Sequence, residues 1–161
     1  MIWPHWEWIK GMPRRAVEKS AINASSEAVW DYVTDFTKAG LWMTGVSSLV
    51  RLDEGDIGRG SHLQVEAGGQ CHESTVSYWQ PGKCFALSSQ LDGVGATFTY
   101  RIEGVAETST LELSIECTFG GFNKLIAPAI FWRIRRRGAS QVNNVKSQLE
   151  QVAGPDIPPD A

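Results

Sequence analysis

Two histidines, His62 and His72, are the side chains of this chain best suited to moving protons near neutral pH. Gln64, Glu66, Glu73 and Ser74 lie close to them in sequence, so an imidazole paired with a carboxylate would provide general acid–base chemistry. The spacing leaves the pairing open. If Leu63 and Val65 point inward on a strand, His62 and Gln64 point outward, and His72 carries the same one-residue ambiguity. His5 lies in the N-terminal extension and contributes nothing to such a pair. A second candidate is the basic run Arg133–Arg137, RIRRR, the densest in the chain. On a helix its members point around most of the circumference, which suits a solvated flank. Arg133 and Arg137, four apart, could instead border one face and meet a carboxylate of a ligand, of Glu112 or of Glu116, or an anionic lipid headgroup. Cys71, Cys84 and Cys117 are an odd number at wide spacings without a CxxC pair, which suggests neither a disulfide framework nor a zinc site. No third ligand stands near the histidines at a metal-binding spacing, and GxSxG, P-loop and GxGxxG motifs are absent. No cofactor and no metal are expected.

Composition bounds what such residues could serve. The chain has 161 residues, enough for one domain that buries about 70% of its unfolded surface. A formal net charge of −3 and a pI near 5.6 argue against a nucleic-acid partner. No apolar run reaches the roughly 20 residues of a membrane span, and no secretory signal pattern opens the chain; the expectation is a cytoplasmic protein without a transmembrane segment. Residues 1–13 form an extension crowded with Trp3, Trp6 and Trp8, followed by Lys10, Arg14 and Arg15. Such a segment either packs back on the domain or meets an oligomer partner or a membrane surface, since indole rings favour interfaces. A homodimer and peripheral membrane contact are therefore among the expected partners. Residues 153–161, rich in proline and aspartate, read as a disordered tail.

The elements that would position any site are well marked. Asn23–Met43, NASSEAVWDYVTDFTKAGLWM, reads as a short helix capped by Ser25 with Glu27 in its first turn, then a second turn capped by Asp35 and interrupted by Gly40. Leu41, Trp42 and Met43 end it as a bulky trio that must be buried or line something. Strands are predicted over 15–22, 47–52, 61–66, 71–79, 83–91, 96–103 and 110–119, with glycine-rich turns between several of them. Alternation puts Phe85, Leu87 and Leu91 on one face, joined by Phe98, Tyr100 and Ile102 and then by Leu111, Leu113, Ile115 and Cys117. A sheet with one apolar face needs a cover. Residues 122–152 supply it, with Phe122, Leu125, Ile126, Ala129, Ile130, Ile134, Val142, Val145 and Leu149 at helical spacing and Pro128 marking the helix start or a kink.

In this order of elements the chain resembles the START-like (SRPBCC) superfamily, which includes polyketide cyclase/dehydrase-like proteins and birch-pollen-allergen-like carriers. The residues that carry the likeness are INASSEAVWDYVTDF at Ile22–Phe36, LWM at Leu41–Met43, GRGS at Gly58–Ser61, QPGK at Gln80–Lys83, TYRIE at Thr99–Glu103, and the helix running through Arg135 and Arg136 to VKSQLE at Glu150. The resemblance spans residues 14–152 and implies an α+β helix-grip fold. A curved antiparallel sheet of six to seven strands wraps around a long C-terminal helix, with two short helices after the first strand. It also implies an apolar chamber between sheet and helix. On that geometry Trp42 and Met43 stand at the entrance, and Phe85, Leu87, Phe98, Tyr100, Leu111 and Leu113 face the helix. Ile126, Ile130 and Arg133 contribute from the helix itself. The implied function is binding or transport of a small hydrophobic molecule such as a lipid, polyketide or isoprenoid. The alternatives are a cyclase or dehydratase using cavity acid–base residues, and a lipid-surface or co-chaperone-like interaction module. A polar group in hydrogen-bond reach of a cavity-facing His62 or Tyr100 would favour chemistry; a wholly apolar lining would favour a carrier.

Overall fold

The computed structural model describes residues 13–152, so the tryptophan-rich extension and the tail lie outside the described residues apart from residue 13. Seven strands form one antiparallel sheet: β1 (Arg14–Ile22), β2 (Val46–Arg51), β3 (His62–Ala67), β4 (Gln70–Gln80), β5 (Cys84–Leu91), β6 (Val94–Val105) and β7 (Thr108–Phe119). Their spatial order is β1-β7-β6-β5-β4-β3-β2, so five hairpins in succession build the sheet and β1 closes it by pairing with β7. Between β1 and β2 run α1 (Ser26–Thr34), a 3₁₀ turn (Phe36–Lys38) and α2 (Ala39–Trp42). A single long helix, α3 (Asn123–Val152), follows β7 and packs against β1 and β7, with further contacts to α1 and α2. This is the helix-grip arrangement that the resemblance implies, with element ends within a few residues of those expected from the strand and helix signals.

The local chemistry explains the short helices. The Ser25 hydroxyl accepts the Ala28 N–H at 3.1 Å, and Glu27 sits at the positive end of the α1 dipole. Asp35 accepts from the Thr37 N–H and hydroxyl and starts the 3₁₀ turn. Gly40 does not break the second short helix, contrary to the expectation: it lies inside α2, packed against the Ser47 carbonyl of β2. Pro128 is likewise inside α3, in its second turn.

The two faces of the sheet differ as the alternation requires. Val76, Phe85, Tyr100, Leu111, Leu113 and Ile115 are buried on the inner face. The outer face carries the ion pairs Lys19–Glu112 (2.8 Å) and Arg15–Glu116 (3.3 Å) and a hydroxyl chain from Ser77 through Ser88 to Thr97. Glu112 and Glu116 therefore point away from α3, and neither is available to Arg133 or Arg137. Helix and sheet lie in tight contact at Gly138, where a Cβ would stand 2.3 Å from the Ile115 side chain and 3.3 Å from that of Leu113. A larger residue there would have to displace the buried Ile115 side chain or the helix, so this glycine allows α3 to lie close on β7.

Candidate functional site: a cavity between the sheet and the long helix

Beside that contact, sheet and helix enclose a cavity of about 170 Å³. Met43, Thr44, Gly45 and Val46, the link from α2 to β2, form one wall. The sheet supplies Leu49, Val65, Leu87, Phe98 and Tyr100, and three polar side chains, His72, Ser74 and Ser89. From α3 come Ile134, Arg137 and Gln141, one per helical turn. The lining is apolar in most of its surface, with polar groups placed at separate points, and it contains no Asp or Glu. Hollows of 460 and 510 Å³ also occur, against Arg101 and against Thr97 on the solvent side of the sheet, where polar side chains dominate.

Strand register decides which polar groups enter. Val65 is paired with His72, and Leu63 with Ser74, so His72 and Ser74 share the inner face with Val76. His62 points the other way: its Nδ1 lies 2.5 Å from Glu73 Oε1 on the exposed outer face. The two histidines are thus split by the sheet and form no pair. Arg137 lies against Gly45, its guanidinium carbon 3.2 Å from where a Cβ would stand. Gly45 has φ +85°, which favours glycine, and its bare backbone gives the guanidinium room at the rim. Both residues are exposed, so this is the open end of the cavity. Val46 is paired with Ala67 at the β3–β4 hairpin, and His72 lies on the same hairpin, so the two basic groups of the lining share this end. Among the described residues Arg137 has no carboxylate partner.

At the inner end Tyr100 donates its hydroxyl to Gln141 Oε1 at 2.7 Å, and both side chains are buried. Burial pushes the Tyr100 phenol far above its ordinary range, so it serves as a neutral donor and not as a base. Phe85 stacks on the Tyr100 ring at 4.8 Å, and Trp42 meets that ring edge-on at 5.5 Å. Trp30 and Trp79 extend the cluster to Phe85, fixing the phenol from behind.

Of the residues expected to line the chamber, Met43, Leu87, Phe98 and Tyr100 meet in it. The others do not. Trp42 is buried in the core, because the α2 backbone turns it onto Tyr100; its Nε1 has no acceptor among the described residues. Phe85 lies behind Tyr100, and Leu111 and Leu113 are sealed beneath α3, where helix and sheet touch. Ile130 is half-buried against the core outside the cavity, while Ile126 and Arg133 are exposed on the outward side of α3. Arg137, one of the two arginines that the sequence offers to a ligand carboxylate, does line the cavity, whereas Gln141 and the Thr44–Val46 link were not among the expected residues. The one signal for Gln141 was its place as a polar residue beside the apolar positions Val142 and Val145.

Among the described residues no three of His, Cys, Asp and Glu gather into a metal-binding group, and no helix is long and apolar enough to cross a membrane. Cys117 is buried beside Glu116, and its thiol is pushed up to about 11.

Comparison with known proteins agrees with this architecture. The family model for polyketide cyclase/dehydrase and lipid transport matches residues 14–150. Among solved structures, the ZhuI aromatase/cyclase from Streptomyces sp. R1128 superposes with a TM-score of 0.74 at 14% identity, covering 89% of this chain and 97% of its own. A START superfamily protein from Mycobacterium smegmatis gives 0.67 at 15% identity, with 86% and 98% covered. A norcoclaurine synthase point mutant from Thalictrum gives 0.66 at 14%, with 89% and 98% covered. At these identities the likeness is one of fold alone. No curated protein matches the chain.

Proposed function

The chain belongs to the polyketide cyclase/dehydrase and lipid transport family, and on that premise we propose that its cavity binds a small apolar molecule bearing an acidic or oxygenated group. The observation that carries this reading is the lining: apolar walls, two basic side chains at the open end, a neutral phenol–amide pair at the closed end, and no carboxylate. An apolar void of about 150 Å³ accepts a benzene ring, so 170 Å³ suits one ring with a short substituent. A longer guest would extend past Gly45 into solvent. An anionic group is favoured over a cationic one because Arg137 supplies a charge-assisted donor and no carboxylate in the lining would pair with a cation.

The test uses benzoate, benzyl alcohol and benzylamine, three probes of nearly equal size, titrated calorimetrically or by NMR. The expected order of affinity is benzoate, then benzyl alcohol, then benzylamine. Arg137→Gln should erase the advantage of benzoate and leave benzyl alcohol unchanged, and Leu87→Trp should block all three. Binding of none, or binding insensitive to Leu87→Trp, defeats the proposal.

Two observations favour a catalytic reading as well: the cavity-facing Tyr100 has a polar partner, Gln141, at 2.7 Å, and His72, an acid–base group, lines the cavity. On that reading the cavity folds a reactive guest and His72 moves its proton. His72→Gln would then abolish turnover of a cyclisable polyketide analogue; turnover that survives the substitution removes this role.

A further inference from the structure

The outward side of the first half of α3 has no structural use in the described fold, yet it is built of large apolar residues. Phe122 is 75% exposed, Leu125 76%, Trp132 59% and Ile126 43%. At 3.6 residues per turn, Trp132, Leu125 and Ile126 fall within an arc of about 120°, and Phe122 stands in the turn immediately before the helix. The opposite side, marked by Ala127 and Gly138, rests on the sheet. A contiguous apolar patch of this kind on a helix marks a contact surface. The same arc ends in Arg133 and Arg136, and the Arg136 guanidinium lies over the Trp132 ring at 5.3 Å. Arg135 is held by Glu18 across β1, and Arg137 belongs to the cavity rim, but Arg133 and Arg136 have no carboxylate partner among the described residues. Between Cys117 and Leu149 the sequence has six Lys and Arg and no Asp or Glu, in a chain whose net charge is −3.

We propose that this face of α3 docks on the surface of an anionic lipid bilayer. Apolar side chains next to unpaired guanidinium groups, with an indole at the junction, match the layering of acyl chains and headgroups that an interfacial helix meets. The charge complementarity selects this occupant. A nucleic acid would leave Phe122 and Leu125 without partners, and a second copy of this face would set its arginines against their own kind. The geometry gives the docking a purpose. Ile134 and Arg137, on the turns after this patch, line the cavity, so a helix lying in the headgroup layer brings the Gly45–Arg137 rim to the bilayer surface. A guest could then pass between membrane and cavity with little exposure to water. The chain also enters β1 at Arg14, opposite Cys117 and close to the start of α3, so the tryptophan-rich sequence 1–12 joins the domain at this same end.

The experiment is co-sedimentation of the full chain with phosphatidylglycerol vesicles and with phosphatidylcholine vesicles, read as a partition coefficient, and it is independent of whether the cavity binds any guest. The expected result is partition onto the anionic vesicles at low salt, weak partition onto the zwitterionic ones, and release at about 0.5 M salt, where exposed charges are screened over a few ångströms. Arg133→Gln with Arg136→Gln should lower the partition about 25-fold, about fivefold for each arginine near an anionic surface. Leu125→Ser with Trp132→Ser should lower it more than about tenfold, since each removes a large apolar group from the acyl boundary. Val105→Ser, at the end of β6 beside the β6–β7 turn, should leave it unchanged. The proposal is overturned if the native chain does not partition, or if both double variants partition like it, including the case in which only deletion of residues 1–12 removes binding. Dimerisation through this face in solution, without vesicle binding, overturns it equally.

Discussion

Replacing Tyr100 by Phe removes one hydroxyl and leaves Gln141 Oε1, 2.7 Å away in the native protein, without its donor in a buried position. A buried acceptor stripped of its partner costs about 1–3 kcal/mol, more than the bond itself contributes net. Here the low end of that range applies, because both groups line the cavity, and its 170 Å³ exceeds the roughly 30 Å³ that a water molecule occupies. Water can move in and hydrate the orphaned oxygen. Gln141→Leu should cost a similar amount by orphaning the phenol. The double variant removes both polar groups and leaves nothing unpaired, so its cost should fall short of the sum of the singles by about 1 kcal/mol, a coupling expected only between groups in contact. Urea unfolding measures all four proteins, and an unchanged slope would confirm that each variant alters stability and not compactness. The binding consequence is separate: the double variant should take toluene more tightly and benzyl alcohol less tightly than the native chain. Single-variant costs that add within about 0.4 kcal/mol would show that the phenol–amide bond is not formed in solution. The neutral-donor role assigned to Tyr100 would then be lost.

Trp42→Ala should unfold the chain early, by about 3–5 kcal/mol, since it empties a core site, whereas Trp42→Phe should cost distinctly less because it keeps a ring and deletes an unpartnered N–H; equal costs in thermal unfolding would contradict the core placement. Gly138→Ala brings a Cβ to 2.3 Å from the Ile115 side chain, and the overpacking of about 1–3 kcal/mol should outweigh the roughly 1 kcal/mol gain in helix propensity, so a stabilised variant would show that α3 lies higher than described. Hydrogen bonds from Lys146 and from the Asn23 N–H hold the Glu150 carboxyl below its ordinary range, and those from Thr37 and Lys38 do the same for Asp35. Both groups stabilise the fold above the ordinary carboxylate pKa and lose that contribution as pH falls through their lowered values, so Glu150→Gln should flatten the acid limb of stability against pH; an unchanged limb contradicts the tie to Lys146. In a thiol-reagent assay the exposed Cys71 should react within minutes and the buried Cys117 only on unfolding; rapid reaction of two or more thiols would contradict the burial.

The order of elements was legible because each signal was local. Serine and aspartate caps, period-two alternation in β5 to β7 and the helical repeat after Phe119 depend on neighbours a few residues away, and tertiary packing did not override them. The cavity was legible only in part. Whether a residue faces inward can be read from alternation, and Leu87, Phe98 and Tyr100 were found that way. Whether an inward residue lines a void or fills the core depends on where α3 touches the sheet, which is set by Gly138 and Ile115, far apart in sequence. Leu111 and Leu113 have the same pattern as Leu87 and lie on the filled side. His72 could be placed only once β3 and β4 were paired, since a one-residue slip exchanges it with Glu73.

The sheet order carries a cost in time. Of the described strands β1 is made first, but its only neighbour among them, β7, is made last: Arg14 is paired with Cys117 and Ile22 with Ser109, a gap of roughly 100 residues. At a synthesis rate of about 5–20 residues per second, the first strand waits roughly 5–20 s for its partner. A waiting strand with free backbone groups invites pairing with other nascent chains. The sequence RRAVEKSAI answers that hazard with four charges in nine residues: Arg14 at its start, Arg15 and Lys19 on the outer face, and Glu18 toward α3. The same side chains that later hold Glu116, Glu112 and Arg135 thus keep the strand soluble until those partners exist.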